Sequence, residues 1–461
     1  MTTGALSHLK PTLVQRLSTI CTVLVQRYLP DPFLFAALLT FVVFLIAMPV
    51  TQQNPLQMVN AFSGGFWSLL TFAMQMALVV VTGHAMASTP VFRRGLLYLA
   101  MRAKTPEHAI LIVTFVSSIA CWINWGFGLV IGAIFARELA SKVKGVDYRL
   151  LIASAYTGFL FWHAGLSGSV PLALASGSNL GSVTAGVVLS PVSTGDTLFS
   201  SMNIVILLAM LITMPLLNRS MHPPVDQVVT ISPELLSSTD TQEREEEKEL
   251  SPAEKLEQSP WVNRLLALLG FTYIVMYFSE NGFALNLNIV NFIFLFTAIL
   301  LHGTPKRLLK AVAEGTKNTT GILLQFPFYA GIMGMMVAKG PNGVSLAGAM
   351  SDMFVSISNE YTFPLFTFIS AGIVNVFVPS GGGQWAVQAP IMMPAGAELG
   401  VPATKTAMAI AWGDAWTNMI QPFWALPALS IAGLNAKDIM GFCIISLFAS
   451  GAIIGLSLLV F

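Results

Sequence analysis

A single acidic residue, Asp414, lies in an otherwise uncharged helical stretch. Asn418 and Gln421 follow it by one and two helical turns, so all three side chains are predicted to share one face. An ionisable side chain inside an apolar helix is energetically expensive, which makes it a functional candidate. We expect Asp414 to take up H⁺ or Na⁺. The alternative is a structural role, in which Asp414 makes a local hydrogen bond that holds its helix together.

Two segments with several glycines are candidates for binding an anion. They contain the tip residues Asn124, Gly126, Gly128, Ser380, Gly381, Gly382 and Gly383. The first segment interrupts 28 uncharged residues, Ala109 to Ala136, and the second interrupts 37 uncharged residues between Glu360 and Glu398. One membrane helix needs about 20 residues and two with a turn need about 40, so we predict re-entrant hairpins. The alternative for the first segment is a single long, tilted helix.

A second pair of interruptions adds neutral hydrogen-bonding groups. The first interrupted helix offers His163, Ser167 and Ser169, and the second offers Asn418 and Gln421 ahead of Pro422. Helix N-termini at the four breaks would present backbone N–H groups and a positive dipole end to a carboxylate. The alternative is that these small residues only let helices pack closely.

The sequence also allows an enzyme. The segment Gly165-Leu-Ser-Gly168 matches the Gly-x-Ser-Gly pattern of rhomboid-like intramembrane serine proteases. In that alternative Ser167 is the nucleophile, and a histidine on another helix is its base. A match of four residues is weak in a chain rich in glycine and serine.

The two hairpins and the two interrupted helices recur at one spacing. Gly126 and Gly128 lie 255 residues before Gly381 and Gly383, and the same spacing places His163 opposite Asn418. Broken helices at corresponding places in two halves are typical of the binding site of a transporter.

The composition excludes a soluble protein. The hydrophobic fraction is 55%, the charged fraction is 10% and the mean hydropathy is +0.73, whereas soluble domains contain about 25% charged residues. We predict an all-α polytopic membrane protein with about ten transmembrane helices, two re-entrant hairpins and interrupted helices. We expect no nucleic-acid partner, although the net charge of +1 gives no information on this, and the three scattered cysteines suggest neither a disulfide framework nor a metal cluster. We expect no cofactor beyond a coupling H⁺ or Na⁺.

The predicted organisation has four parts. Residues 1–32 form an interfacial amphipathic N-terminus, and residues 33–217 form a first repeat with its hairpin at 108–140. Residues 218–260 form an acidic cytoplasmic linker, and residues 261–461 form a second repeat with its hairpin at 361–398. The linker holds 10 of the 22 acidic residues and is predicted to be solvated. Lys and Arg concentrate in alternate loops, which places the N-terminus in the cytoplasm. The hairpins then enter from opposite sides, so the repeats are predicted to be inverted.

Several motifs resemble the bacterial short-chain fatty acid transporter family of the acetoacetate and butyrate type. They are Trp122 to Val130 (WINWGFGLV), Gly145 to Tyr148 (GVDY), Gly165 to Gly168 (GLSG), Asp196 to Ser200 (DTLFS), Gln325 to Gly331 (QFPFYAG), Val378 to Gly383 (VPSGGG) and Gln421 to Pro427 (QPFWALP). The resemblance covers nearly the whole chain outside 218–260. It implies an ion-transporter-type fold, an elevator movement and a homodimer. It also implies uptake of small carboxylates across the bacterial inner membrane, with the lipid bilayer as the other partner.

Overall fold

Helices form all the regular structure of the part of the chain described by the computed structural model, residues 32–177, 179–232 and 251–461. In the first half they are α1 Pro32–Thr51, α2 Pro55–Gly65, α3 Leu70–Ala87, α4 Pro90–Ala100, α5 Pro106–Ile123, α6 Trp125–Lys142, α7 Tyr148–Thr157, α8 Ser169–Ser176, α9 Leu180–Val183 and α10 Ser201–Ser220. A 3₁₀ turn at Gly158–Phe161 continues α7. The predicted all-α fold is confirmed. The predicted amphipathic helix near the N-terminus lies outside the described residues.

The second half contains eleven helices within its described residues. They are α11 Pro252–Glu257, α12 Pro260–Asn281, α13 Leu287–His302, α14 Pro305–Thr316, α15 Thr320–Val337, α16 Leu346–Ile357, α17 Phe363–Phe377, α18 Gly381–Glu398, α19 Ala403–Thr417, α20 Pro422–Ala432 and α21 Ala436–Val460. A 3₁₀ turn at Asn418–Ile420 ends α19. Proline opens many helices of both halves, because its fixed φ suits the first helical position and the N–H that it lacks has no partner there.

Six helices of the described residues are long and apolar enough to cross a membrane, judged by length and composition. They are α3, α5, α10, α12, α21 and the pair α14–α15 taken as one stretch. Four shorter apolar helices lie in α1, α13, α16 and α17. The prediction of about ten spans in two inverted repeats stays a prediction.

The two halves interlock rather than pack as separate bodies. Both α1 and α2 pack on α15, α3 packs along α13, and α10 packs on α21. Polar contacts run across the same boundary: Gln75 of α3 donates from Nε2 to Asn288 Oδ1 at 2.7 Å, and Trp412 of α19 donates from Nε1 to Asn203 Oδ1 at 3.0 Å. The core therefore joins helices from both ends of the chain.

Some boundaries differ from those expected. By composition alone, residues 62–86 would form a single span, but the chain turns between α2 and α3, where Gly65 lies so close to α15 that an added Cβ would be 2.6 Å from the carbonyl oxygen of Ala330. Residues 315–338 would likewise form a single span by composition, but α15 begins only at Thr320, after a 3₁₀ turn that follows α14. The helix α16 was not predicted at all. These differences come from contacts between distant segments, which local composition does not encode.

The start of the predicted linker is packed against the body of the protein. Asp147, which is fully buried, accepts a hydrogen bond from the Val229 amide at 3.0 Å, and the Tyr148 amide donates to the Val229 carbonyl at 2.8 Å. Asp147 also caps α7 by accepting from the Leu150 amide at 3.0 Å and pairs with Arg149 at 2.7 Å. This part of 218–260 is therefore not a simple solvated linker.

Replacing Asp147 tests the importance of this contact. We expect Asp147→Ala to lower the apparent Tm of the detergent-solubilised protein by several degrees, because it removes an N-cap and orphans the Val229 amide, together worth about 1–3 kcal/mol. Asp438→Ala is the matched control, since Asp438 Oδ2 only accepts from the Asn435 amide at the exposed start of α21. Equal Tm values for the two variants would show that the Asp147 contacts add no special stability.

Candidate functional site

The returning helix of each hairpin starts with the same cap geometry. At the first tip one extended residue, Asn124 (φ −156°, ψ 123°), separates α5 from α6, and its side chain accepts from the Phe127 amide at 2.9 Å. At the second tip Ser380 (φ −157°, ψ 111°) precedes α18 and accepts from the Gly383 amide at 3.4 Å. Asn and Ser are preferred N-cap residues, so the sequence itself explains where each returning half-helix starts.

The two caps are 256 residues apart, one more than the predicted spacing of 255. The spacing of 255 holds beyond the hairpins, where Gly145 (φ +77°) and Gly400 (φ +76°) occupy matching turns. The paired tip residues are therefore Asn124 and Ser380, and the predicted pairing of Gly126 with Gly381 is one residue out of register.

The first tip is held by the first interrupted helix. Ser167 Oγ accepts from the Trp125 amide at 3.0 Å, and the Leu166 amide donates to the Trp122 carbonyl at 2.7 Å. Gly165 is required here, because an added Cβ would lie 2.1 Å from the Trp122 carbonyl oxygen. The segment Gly165 to Gly168 thus positions the start of α6.

The two interrupted helices meet through a buried pair of ionisable side chains. His163 Nδ1 lies 2.9 Å from Asp414 Oδ2, and the two residues are 0% and 1% exposed. The Val170 amide donates to His163 Nε2 at 3.1 Å, so Nε2 carries no proton and the proton of a neutral ring lies on Nδ1, pointing at the carboxylate. The other carboxylate oxygen of Asp414, Oδ1, is buried and has no hydrogen-bond partner among the described residues.

The second tip closes over this pair. An added Cβ on Gly381 would lie 2.6 Å from Trp162 Cη2 and 2.7 Å from His163 Cε1. The next two glycines are equally crowded, Gly382 by the rings of Phe72 and Phe326 and Gly383 by the ring of Tyr329. The glycines therefore let the N-terminus of α18 reach the His163–Asp414 pair.

A residue that the sequence reasoning missed, Asn375 of α17, connects the second hairpin to the second interrupted helix. Its Nδ2 lies 2.8 Å from the Asp414 carbonyl oxygen, and 2.9 Å from both Thr417 Oγ1 and Asn418 Oδ1. Gln421 Nε2 donates to the Asn375 carbonyl oxygen. The available signal was an amide side chain in an otherwise apolar helix shortly before the tip.

A further polar contact fixes the second interrupted helix. The Tyr156 hydroxyl of α7 donates to the Asn418 carbonyl at 2.6 Å, so the first interrupted helix supports the second. Within the part of the chain that the structure describes, three buried atoms have no hydrogen-bond partner: Asn418 Nδ2, Gln421 Oε1 and Asn375 Oδ1. Asn418 lies in a 3₁₀ turn and Gln421 is extended. The prediction that both continue one helical face from Asp414 is therefore wrong. Their common partner, Asn375, brings them together instead.

The predicted site residues thus fall into separate groups, of which Ser380, Gly382 and Gly383 lie at the second tip. His163, Gly381, Asp414, Asn418 and Gln421 form one connected cluster through the contacts above. Asn124 and Ser167 lie at the first tip, whereas Ser169 Oγ contacts Met76 Sδ at 3.8 Å. Gly126 and Gly128 approach the Val80 backbone and Cys121 respectively, which is the contact pattern of the packing alternative. Among the described residues, no group of three His, Cys, Asp or Glu side chains could hold a metal ion.

The geometry gives the protease alternative no support. Ser167 Oγ accepts from a backbone amide, and both ring nitrogens of His163 are engaged by Asp414 and Val170.

Comparisons with known proteins agree with this. A family model described as "Short chain fatty acid transporter" matches residues 13–461. A protein of Escherichia coli (strain K12) named "Putative short-chain fatty acid transporter" is 48% identical over 97% of this chain and 100% of its own length. A protein of the same name from Haemophilus influenzae (strain ATCC 51907 / DSM 11121 / KW20 / Rd) is 46% identical over 96% and 98%.

The fold has a counterpart among solved structures. The YdaH transporter of Alcanivorax borkumensis, whose crystal structure is described as revealing an unusual topology, superposes with a TM-score of 0.59 at 15% identity, over 94% of this chain and 97% of that chain. The family and these relatives are transporters and not enzymes. The resemblance found in the motifs is confirmed, and the chain belongs to the short-chain fatty acid transporter family.

Proposed function

We propose that this protein imports short-chain monocarboxylates, such as butyrate and acetoacetate, across a bacterial inner membrane by secondary active transport coupled to H⁺ or Na⁺. The observation that carries the proposal is the buried His163–Asp414 pair. It joins the two interrupted helices, and one of its carboxylate oxygens has no partner in the described part of the chain.

The charge balance of this pair favours coupling. A neutral His163 donates one hydrogen bond but does not neutralise an ionised Asp414, and an uncompensated charge is costly in a buried site. An anionic substrate at the neighbouring N-terminus of α18 would add a second negative charge and repel the first. A proton or a sodium ion on Asp414 Oδ1 removes both penalties. Binding of the carboxylate and of the cation should therefore be mutually dependent.

The substrate-binding groups are proposed from the same geometry. The half-helix α18 begins at Gly381 beside His163, and its dipole and backbone amides attract a carboxylate. The half-helix α6 provides the second such N-terminus. In the same cluster, Asn418 Nδ2, which has no partner among the described residues, can donate a neutral hydrogen bond to the carboxylate.

Three further features belong to the proposal. The distribution of Lys and Arg supports a cytoplasmic N-terminus. The two similar tips and the interrupted helices support two inverted repeats and alternating access of the elevator type. A homodimer is proposed from the resemblance of the motifs alone.

The experiment is uptake of radiolabelled butyrate into proteoliposomes under an imposed H⁺ or Na⁺ gradient. Protein-free liposomes under the same gradients are the essential control, because neutral butyric acid crosses bilayers unaided. We expect one gradient to drive accumulation above this control, and the matching ionophore to abolish it. Unlabelled acetoacetate should compete, whereas butanol should not. Accumulation no greater than in protein-free liposomes under either gradient would overturn the proposal.

A further inference from the structure

Two short helices combine basic and apolar side chains without being long enough to span a membrane. Helix α4 and the residues after it carry Arg93, Arg94, Arg102 and Lys104, all of them exposed. Helix α14 and the turn after it carry Lys306, Arg307, Lys310 and Lys317, also exposed. Large apolar side chains are exposed on the same helices, among them Tyr98 (54%), Met101 (64%) and Leu309 (61%). This combination is typical of helices that lie in the membrane interface.

The two helices lie at the same end of the protein, because each follows one of two parallel helices. Gln75, in the first half of α3, contacts Asn288 at the start of α13. At the other end, Nε2 of His302, the last residue of α13, lies 2.6 Å from the carbonyl oxygen of Ala85 near the end of α3. Helix α4 follows α3, and α14 follows α13. In addition, α4 contacts α13, and Glu314 of α14 lies 3.8 Å from His84 of α3.

Among the described residues, few acidic groups lie on or beside these two helices. Glu314, the acidic residue of α14, faces His84, and α4 has no acidic residue. On the linker side, hydrogen bonds from the backbone and side chain of Ser251 lower the pKa of Glu254, and Lys306 lowers it further. The linker helix α11 is therefore at this end as well, which is the cytoplasmic end by the distribution of Lys and Arg.

We propose that α4 and α14 together bind the headgroups of anionic phospholipids. Guanidinium and ammonium groups at the interface attract lipid phosphates, and the exposed Tyr98, Met101 and Leu309 enter the acyl region beneath them. The proposal concerns lipid binding and does not depend on the identity of the transported solute. A lipid bound at α14 is linked to the candidate site through α15, the next helix in the chain. Phe326 and Tyr329 of α15 contact the glycines of the second tip.

The test measures lipid selectivity of the full-length protein in phosphatidylcholine bilayers containing a trace of spin-labelled lipid. We expect labelled phosphatidylglycerol to associate with the protein more strongly than labelled phosphatidylcholine. Arg307→Gln combined with Lys310→Gln should reduce that preference by about fivefold or more. The control variant combines Lys142→Gln with Lys144→Gln, which removes two exposed basic residues at the end of α6. This variant should retain the preference for phosphatidylglycerol.

Two outcomes would overturn the proposal. One is equal association of the two lipids with the wild-type protein. The other is an equal loss of preference in both double variants, which would indicate general surface attraction rather than a site on α4 and α14. Since both pairs of substitutions are on exposed side chains, the variants are expected to fold, and unchanged apparent Tm values will verify this.

Discussion

Asp414→Asn is expected to abolish gradient-driven accumulation of butyrate while leaving exchange of internal for external butyrate measurable. Asparagine has nearly the same shape as aspartate, and its Oδ1 can still accept the hydrogen bond from His163 Nδ1. It cannot take up a proton and carries no charge to hold a cation. The rate under the driving gradient should fall roughly 5- to 150-fold, the range for a coupling free energy of about 1–3 kcal/mol.

The measurement compares two assays on the same proteoliposomes, accumulation under a gradient and exchange without one. Asp226→Asn is the matched control, because Asp226 is an exposed carboxylate in the segment after α10. Normal accumulation by Asp414→Asn would assign Asp414 a structural role and place coupling elsewhere. Loss of exchange together with accumulation, at an unchanged Tm, would mean that Asp414 is needed for translocation itself.

Gly381→Ala is expected to have the second-largest effect. Its Cβ would lie 2.6 Å from Trp162 Cη2 and 2.7 Å from His163 Cε1, distances that force the tip or these rings to move. Such overpacking costs about 1–3 kcal/mol and displaces the half-helix N-terminus from the His163–Asp414 pair. Butyrate uptake should fall at least about tenfold, since misplacing a binding group by about 1 Å can cost two orders of magnitude.

The control for this variant is Gly64→Ala in α2, where an added Cβ meets nothing within 4 Å. A second variant tests the contact itself. Adding Trp162→Phe to Gly381→Ala removes the nearest atom, and it should restore part of the lost uptake. If Gly381→Ala transports like Gly64→Ala, close approach at this tip is not needed for transport.

The caps at the tips were predictable from the sequence, whereas the contacts between distant segments were not. Asn124 and Ser380 stand near the middle of long uncharged stretches and are residue types that start helices. Pro422 likewise indicates the start of α20. The pairing of His163 with Asp414 was not predictable, because the repeat spacing placed His163 opposite Asn418. That pairing depends on how the two interrupted helices are rotated against each other.

Asn375 is a second example of a residue whose role was not predictable from the sequence. A neutral amide in α17 carries little signal by itself, and its importance comes from partners that the sequence places about 40 residues later, such as Thr417 and Asn418. The break between α2 and α3 likewise depends on a close approach of Gly65 to Ala330. Composition and periodicity identify helices, but long-range contacts determine where those helices end and which polar groups meet.

The interlocking of the two halves has a consequence for how the protein is made. When the ribosome has completed α10, α1 and α2 still lack α15 as their packing partner. Gln75, His163 and Asn203 likewise lack Asn288, Asp414 and Trp412. Polar groups without partners in a bilayer are costly, so the nascent first half cannot reach its final packing on its own. We expect a chain that stops after α10 to be inserted but then degraded, because its assembly waits for helices that are synthesised last.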